Sequence, residues 1–362
     1  MSARKPEGEL RKGWTTGTCA TAAAAAAYRA PLTGEFPDPV TITLPRGEEP
    51  SFPLSRSELT DGGATAAVVK DAGDDPDVTH GAEVIVHVAP APGSSGIVFH
   101  AGEGIGTVTL PGLPLAVGEP AINPGPRAMI ESALSGLADE FSGCKNVTVT
   151  ISIPGGEEMA AKTMNARLGI VGGLSVLGTT GVVIPYSCAS WIHSIHQGVD
   201  VARAAGLTHI AAATGSTSER AVRELHDFSE QALIDMGDFA GGLLKYLRRH
   251  PVEKLTIAGG FAKLAKLAQG HLDLHSSRSS VNMASLAGQL RALGSTSEIA
   301  ERAADANTAM EVLTLAAEAR LPLADHIARG AREVTLATLA GGTDVEVCVF
   351  DRNANLVGRA DG

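Results

Sequence analysis

The sequence predicts two domains, an N-terminal α+β domain followed by an α/β domain with a partly parallel sheet. A chain of 362 residues usually forms two domains. Its first part mixes strands and helices without a regular βαβ rhythm, whereas the later part carries two strand–glycine–helix units that favour a parallel sheet. We place the first domain at residues 1–155 and the second at 156–295, and we leave the membership of 296–362 open.

The elements predicted for the first domain follow from hydrophobic periodicity and from Pro and Gly punctuation. A helix is expected over residues 18–30 within an alanine run, and VTITLP and EVIVHVAP alternate or run apolar as strands do. A glycine- and proline-rich segment that is mostly loop follows. Pro126 marks the start of a second helix, and NVTVTISIP is the next strong strand.

Two strand–glycine–helix units define the second domain. THIAAATG is predicted to be a buried strand, and the helix STSERAVREL follows it with a Ser or Thr cap and Glu219 in its first turn. EKLTIAGG and the helix FAKLAKLAQG repeat the pattern. Because ligands of such sheets bind outside the carboxyl ends of the strands, we expect a ligand crevice at these two turns.

The C-terminal part is predicted to contain further helix and a hairpin. EIAERAADANTAMEVLTLAAEA has a helical pattern, and VEVCVFDRNANLVGRA has the pattern of a closing hairpin with an Asn-rich turn. These patterns do not assign the segment to either domain.

Charge and composition limit the classes of partner. The net charge of -11 argues against nucleic acid and anionic membranes, because both need a basic protein face. No apolar run approaches the roughly 18 residues that a membrane span needs. The four cysteines lack CxxC or metal-ligand spacing, which predicts free thiols in a reducing compartment and no metal site. We therefore expect a cytoplasmic protein, and its alanine-rich surfaces are compatible with a homo-oligomer.

The stretch GWTTGTCATAAAAAAY, at residues 13–28, has three interpretations. The basic residues before it and its alanine run superficially resemble a secretory signal peptide. Alanine is only weakly apolar, however, and a leucine-rich core is missing. A Thr-Thr-Gly-Thr sequence before a helix places hydroxyls and free N–H groups at the positive end of the helix dipole, which suits an anion. A threonine-capped helix with tightly packed alanines explains the same residues without a ligand.

A second candidate site is the acidic segment VVKDAGDDPDVTHGAEV. Asp71, Asp74, Asp75 and Asp77 crowd into seven residues. Repulsion between like charges disfavours so many carboxylates in one segment unless a cation, a hydrogen-bonding ligand or the backbone compensates their charge. Asx-turns at the neighbouring glycine and proline are the alternative, because aspartate is a favoured turn residue.

Five motifs occur in a fixed order along the chain. They are RKGWTTGTCATAAAAAA, VKDAGDDPDVTHG, GEGIGTVTLPGLPLAVGEPAINPGPRAMI, ISIPGGEEMAAKTMNARLGIVGGLSVLGTTGVVIP and GGFAKLAKLAQGHLDLHS. This set closely resembles the CbiD family, the cobalt-precorrin-5B C(1)-methyltransferases of corrin-ring assembly. The resemblance runs from about Arg11 to Ser276. At GGFAKLAK the chain departs from the Gly-His-x-Gly sequence that is expected before the lysines.

The resemblance implies transfer of a methyl group from S-adenosylmethionine to C1 of cobalt-precorrin-5B, or of precorrin-5B, giving the 6A intermediate of cobalamin biosynthesis. It implies an anionic tetrapyrrole substrate, whose carboxylates suit arginine and lysine. The substrate-binding residues expected on this basis are Arg11, Thr15, Thr16, Thr18, Arg127, Lys162, Asn165, Arg167 and His275. Asp71, Asp74 and Asp75 are expected to act as proton acceptor or as electrostatic partner of the cationic donor.

The methyl donor is expected at glycine-rich turns, where backbone can approach adenosine and methionine closely. The residues expected there are Gly178, Thr179, Thr180, Gly181, Thr214, Gly215, Gly259 and Gly260. A nicotinamide-dependent reductase is disfavoured, because the GxGxxG fingerprint and its acidic partner are missing from the sequence. A non-catalytic tetrapyrrole carrier is the remaining alternative, and such a protein would not bind the donor.

Overall fold

The computed structural model describes residues 8–93 and 95–362, and the chain divides into two compact units. The first unit is Met1–Ser187 and the second is Cys188–Gly362. The first has mixed α+β structure, and the second has helices around a largely parallel sheet. The predicted fold class is therefore confirmed.

The division between the units lies at residues 187 and 188 instead of near the predicted residue 155. The reason is that two short strands beyond residue 155 pair with earlier strands of the first unit. Ile170–Val171 is antiparallel to Thr107–Val108, and Val182–Val183 is antiparallel to Gly13–Trp14.

The first unit alternates short strands with three helices across its described residues. In chain order its elements are β1 (Gly13–Trp14), α1 (Thr16–Thr33), β2 (Val40–Thr41), β3 (Ser51–Phe52), β4 (Arg56–Thr60), β5 (Gly63–Val69), β6 (Glu83–Pro90), β7 (Ile97–Ala101), β8 (Thr107–Val108), α2 (Pro124–Phe141), β9 (Val147–Ser152), α3 (Gly156–Ala160), β10 (Ile170–Val171) and β11 (Val182–Val183). The helix predicted over 18–30 is thus α1, with both ends extended.

The main sheet of the first unit has the strand order β4-β5-β6-β9-β7 and is antiparallel except for the pair β7–β9. Strands β6 and β9 alternate buried with half-buried side chains, which gives the sheet one core-facing side. Helix α1 packs against β5, β6 and α2, and the side chains from Ala22 to Ala27 are all buried. Because alanine carries only a methyl group, this helix can lie close to the sheet.

The second unit begins with α4 and ends with β16. In chain order its elements are α4 (Cys188–Ala204), β12 (His209–Ala213), α5 (Ser216–His226), a 3-10 turn (Glu230–Ala232), β13 (Leu233–Asp235), α6 (Ala240–Leu247), β14 (Lys254–Gly260), α7 (Phe261–Ala268), α8 (Met283–Ala292), α9 (Ser297–Ala304), α10 (Ala309–Glu318), α11 (Leu323–Leu339), β15 (Asp344–Phe350) and β16 (Leu356–Ala360). The two predicted strand–glycine–helix units are β12–α5 and β14–α7.

The sheet of the second unit has the order β13-β12-β14-β15-β16, and its first four strands are parallel. The chain leaves β12 toward β13 on one side, and it leaves β14 toward β15 on the other side. The strand order therefore reverses between β12 and β14, and such a switch point leaves a crevice at the carboxyl ends of the two strands. Side chains on one sheet face join a small core with α5, and those on the other face join the larger core of the remaining helices.

The C-terminal segment is part of the second unit. Its hairpin of β15 and β16 is antiparallel as predicted, and the Asp351 carboxylate accepts hydrogen bonds from the backbone N–H groups of Asn353 and Asn355 in the turn. The helical pattern before it forms two helices, because Thr308 begins α10 as an N-cap. Over residues 8–93 and 95–362, the structure contains no helix with the length and apolarity that crossing a bilayer requires.

Candidate functional site

The threonines of the opening stretch bind a loop of the same unit. Thr15 caps α1 by accepting a hydrogen bond from the backbone N–H of Thr18 at 3.2 Å. The Thr16 hydroxyl donates to the carbonyl of Leu177, and the Thr18 hydroxyl donates to the carbonyl of Gly181 at 2.6 Å. All three threonines are buried. These hydrogen bonds hold the loop against the start of the helix, and the predicted role of the threonines in binding a substrate carboxylate stays a prediction.

The glycines of the loop 177–181 allow it to approach α1. A Cβ at Gly178, whose φ is +122°, would lie 2.3 Å from Thr15 Oγ1. A Cβ at Gly181 would lie 2.8 Å from Thr18 Oγ1. Gly178, Thr179, Thr180 and Gly181 lie in the first unit, whereas the other four residues predicted to bind the donor lie in the second unit.

Asp71 is held in an ion pair with Arg11. The guanidinium donates from both Nη1 and Nη2 to the two carboxylate oxygens, the second at 2.9 Å. The backbone N–H of Gly73 adds another hydrogen bond at 2.9 Å. The hydrogen bond from Arg11, followed by that from Gly73, lowers the pKa of Asp71 to about 2. A carboxylate with so low a pKa is a poor proton acceptor near neutral pH, so of the two roles expected for Asp71 its ionised side chain suits that of an electrostatic partner better.

The other aspartates of the acidic segment also bind protein groups. Asp74 Oδ2 accepts from the backbone N–H of Arg11 at 2.6 Å, and Asp75 Oδ1 accepts from that of Tyr186 at 2.8 Å. Asp77 pairs with the buried Lys70 at 2.7 Å. Backbone N–H groups therefore compensate part of the negative charge of this segment, as the turn interpretation requires. Asp74 and Asp75 thus anchor two distant segments, and their expected catalytic roles stay predictions.

The predicted basic and amide residues of the first unit fall into two groups. Arg127 binds other protein groups, since Nε donates to the carbonyl of Ile122 at 2.8 Å and Nη2 pairs with Glu119 at 3.2 Å. Asn165 is buried and donates to the carbonyl of Gly173 at 3.1 Å. Arg11 and Arg127 are thus engaged within the protein. Lys162 is exposed and makes no ion pair within the described part of the chain, and Arg167 is half-buried.

His275 lies in the other unit from these basic residues. It is exposed, and its Nδ1 is 2.7 Å from the hydroxyl of Ser277. The structure therefore does not bring the predicted substrate-binding residues together as one cluster within a single unit.

The carboxyl ends of β12 and β14 are the place at which a ligand crevice of the second unit is predicted. The two strands are parallel neighbours, and the backbone N–H of Thr214 donates to the carbonyl of Ala258 at 2.9 Å. Gly215 begins α5 and Gly260 begins α7. A Cβ at either glycine would meet no atom within 4 Å. Backbone that faces open space at a switch point is accessible to a ligand, so this edge fits a nucleoside-containing donor.

Two polar side chains that sequence reasoning missed lie at this edge. Lys263, in the first turn of α7, donates to the carbonyl of Thr214 at 2.6 Å and pairs with Asp238 Oδ1 at 3.0 Å. Asp238 follows β13, the strand next to β12. Lys263 therefore connects the loops that follow three neighbouring strands. The sequence signal that could have found the pair is an acid and a lysine placed shortly after successive strands of one parallel sheet.

His226, Glu346 and Cys348 form a buried polar cluster with ligand atoms within 4.8 Å of one another. The Glu346 carboxylate already accepts from the Thr256 hydroxyl at 2.6 Å, and it pairs with His226 at 2.8 Å and Arg359 at 2.6 Å. Burial raises the pKa of the Cys348 thiol to about 12, which keeps it protonated. The guanidinium of Arg359 already neutralises the Glu346 carboxylate and disfavours a second cation there.

The comparisons with known proteins cover most of the chain. The CbiD family model matches residues 3–185, and the model described as CbiD, C-terminal domain, matches residues 273–361. A cobalt-precorrin-5B C(1)-methyltransferase of Brucella anthropi is 58% identical over 352 residues, which are 97% of this chain and 96% of the relative. The protein of the same name from Bradyrhizobium sp. is 57% identical over 98% of this chain and 94% of its own length.

A solved structure also resembles this chain. It is the crystal structure of the cobalamin biosynthesis protein CbiD from Archaeoglobus fulgidus, which is 31% identical. The match covers 70% of this chain and 78% of that protein, with a TM-score of 0.41.

Proposed function

The chain belongs to the CbiD family, and from this membership we propose that it transfers a methyl group from S-adenosylmethionine to C1 of cobalt-precorrin-5B in cobalamin biosynthesis. The observation that carries the proposal is the near full-length identity of 58% to the cobalt-precorrin-5B C(1)-methyltransferase of Brucella anthropi. The cobalt is part of the substrate and needs no ligand from the protein.

In this reaction the protein has to align the donor with the acceptor and to exclude water, and it does not have to supply a nucleophile. The donor supplies a methyl group that its sulfonium already activates, and the macrocycle supplies the attacking carbon. The residues of the chain then have to hold both partners in a reactive orientation. An aspartate with a strongly lowered pKa, such as Asp71, is not needed for such a role and fits ion pairing better.

We place the donor at the carboxyl edge of the sheet in the second unit. Gly215 and Gly260 leave their backbone open there, and the N–H of Thr214 donates to the carbonyl of Ala258 between the two strand ends. Gly259 differs from Gly260, because a Cβ at Gly259 would lie 3.0 Å from both Leu264 and Thr214. The missing side chain of Gly259 therefore allows close packing against these residues. The missing side chain of Gly260 leaves its backbone accessible to a ligand.

The anionic tetrapyrrole requires a local basic cluster, since the chain as a whole carries a net charge of -11. Lys162 is a predicted basic residue that is exposed and makes no ion pair within the described part of the chain, and Arg167 follows it in the same segment, on the other side of the buried Asn165. We propose that they bind carboxylate arms of the substrate. Lys162→Ala should raise KM for the tetrapyrrole several-fold, whereas Lys245→Ala, at an exposed lysine of the second unit, should not.

The direct test is mass spectrometry of the tetrapyrrole after incubation with purified protein. The donor is S-adenosylmethionine with a deuterated methyl group, and the acceptors are cobalt-precorrin-5B and metal-free precorrin-5B in parallel. We expect gain of one labelled methyl group that requires both protein and donor. Tetrapyrrole binding without methyl gain, and without binding of S-adenosylhomocysteine, would replace the enzyme by a carrier.

A further inference from the structure

We propose that Asp238 binds the ribose hydroxyls of the methyl donor and that Trp191 stacks on its adenine ring. This inference rests on the proposed function and adds the residues that select the nucleoside half of the donor. Neither residue was expected at the site from the sequence.

The topology places Asp238 where an acidic residue can reach a ribose. Strands β12 and β13 are parallel neighbours, with Ala213 opposite Asp235. In doubly wound sheets that bind nucleotides, a glycine turn after one strand is followed about 20 residues later by an acid near the end of the neighbouring strand. Asp238 follows Gly215 at about that spacing, so the acid and the open backbone lie at the same edge.

Lys263 fixes one oxygen of the Asp238 carboxylate and leaves the other for a ligand. The Lys263 ammonium lies 3.0 Å from Asp238 Oδ1 and 2.6 Å from the carbonyl oxygen of Thr214. Within the described chain, no residue donates a hydrogen bond to Oδ2. The side chains of Lys263 and Asp238 are 36% and 24% exposed, so solvent and ligand can reach the pair. An ionised carboxylate only accepts hydrogen bonds, which suits the donor hydroxyls of a ribose.

Trp191 supplies an aromatic surface beside the same loop. Its Nε1 donates to the carbonyl of Asp235 at 3.2 Å, and its ring lies over Gly237, where a Cβ would approach Nε1 to 3.4 Å. The contact to Gly237 holds the indole next to Asp238. The side chain is nevertheless 46% exposed, although indole gains from burial. A ring fixed along one edge and open elsewhere is suited to stacking with a nucleobase.

The first test measures binding of S-adenosylhomocysteine and of its 2′-deoxyribose analogue by calorimetry. The wild-type chain should prefer the ribose form, and Asp238→Asn should bind it about 10- to 100-fold more weakly while losing most of that preference. Asp305→Asn, which changes an exposed aspartate at the end of α9, is the matched control and should bind as the wild type does. Unchanged affinity and preference in Asp238→Asn would overturn the assignment of Asp238.

The second test uses tryptophan fluorescence. The chain contains two tryptophans, and the other one, Trp14, lies in the first unit. Addition of S-adenosylhomocysteine should change the emission of the wild type, and Trp191→Phe should remove this change while keeping most of the affinity. Trp191→Ala should weaken binding about 10-fold. A ligand-induced change that persists in Trp191→Phe, or wild-type affinity in Trp191→Ala, would overturn the stacking role.

The outcomes separate this inference from the function on which it rests. If the wild-type chain methylates the tetrapyrrole and binds S-adenosylhomocysteine, but the Asp238 and Trp191 variants bind it equally well, only the assignment of these residues fails. If the wild type neither methylates the tetrapyrrole nor binds S-adenosylhomocysteine, both the proposed function and this inference are wrong.

Discussion

Many polar side chains in this protein bind other parts of the same chain. Thr18 holds the carbonyl of Gly181, Asp75 holds the N–H of Tyr186, and Glu346 is buried among Thr256, His226 and Arg359. Burial opposes ionisation of Glu346, but its hydrogen bond from Thr256 and the nearby cations lower its pKa. Residue type alone therefore does not show whether a polar side chain binds a ligand or another part of the protein. Its hydrogen-bonding partners in the structure distinguish the two cases.

A substitution of Gly260 tests whether the donor lies against the open backbone at the start of α7. Gly260→Ala should raise KM for S-adenosylmethionine about 10-fold, because the added methyl group would enter space that the donor is proposed to use. The free energy of unfolding should change by no more than about 1 kcal/mol, since Gly260 is a helix N-cap with φ of -70°. Gly288→Ala, within α8 and also without neighbours at its Cβ, is the control for adding the same methyl group elsewhere. Equal KM values in both variants would argue against the proposed donor position.

Asp71 tests the ion pair with Arg11 through pH. Its pKa is about 2 in the folded chain, against an ordinary value of 3.8 for aspartate. A lowered pKa means that the stabilisation is complete above about pH 4 and is lost as pH falls toward 2. Because both side chains are about half exposed, Asp71→Asn should cost no more than about 1 kcal/mol near neutral pH. Urea unfolding at pH 7 and at decreasing acidic pH should show this difference shrink, and a constant difference would contradict the ion-pair explanation.

Elements with strong local patterns could be predicted from the sequence, and elements made by long-range pairing could not. The alanine-rich α1, the glycine-ended strands β12 and β14 and the C-terminal hairpin all carry their own periodicity or turn chemistry. The strands β10 and β11 are two residues each, too short for a pattern, and their partners lie far back in the chain. The predicted boundary near residue 155 was displaced for this reason.

The same distinction applies to the candidate site. The threonine cap of α1 was foreseen, but its partner loop at 177–181 is more than 150 residues away, and no local pattern reveals that contact. The ion pair of Lys263 with Asp238 depends on the strand order, which becomes known only when the sheet is assembled. The sequence predicted the turns at which the donor site is proposed, and the structure shows their polar neighbours.

At the scale of an element, the loop 177–181 should depend on Gly178. Gly178→Ala combines a φ of +122° with a Cβ 2.3 Å from Thr15 Oγ1, so it should lower the free energy of unfolding by about 2–4 kcal/mol. Gly118→Ala has a φ of +93° but no neighbour within 4 Å, and it should show only the backbone cost of about 1–2 kcal/mol. Chemical denaturation of both variants checks the difference. Equal costs would mean that the close approach to α1 is not maintained in solution.

At the scale of the whole molecule, each unit has its own hydrophobic core. The proposed donor site is confined to the second unit, so saturating S-adenosylhomocysteine should slow amide hydrogen exchange first at the turns after β12, β13 and β14. At a ligand concentration about 100 times Kd, the stabilisation of the binding-competent state is about 2.7 kcal/mol. Mass-spectrometric exchange with and without ligand is the measurement. Protection restricted to the first unit would place the donor elsewhere.

The strand order of the second unit also has a consequence for synthesis of the protein. β14 ends at Gly260, but its partner β15 begins only at Asp344, after five intervening helices and the loops between them. At about 5–20 residues per second, a ribosome needs roughly 4 to 17 s to make the intervening segment. During that interval the nascent chain presents an apolar strand with an unpaired edge, which is a template for aggregation. Chaperone protection during translation should therefore matter most for the second unit, because the first can complete its strand pairings before β14 is made.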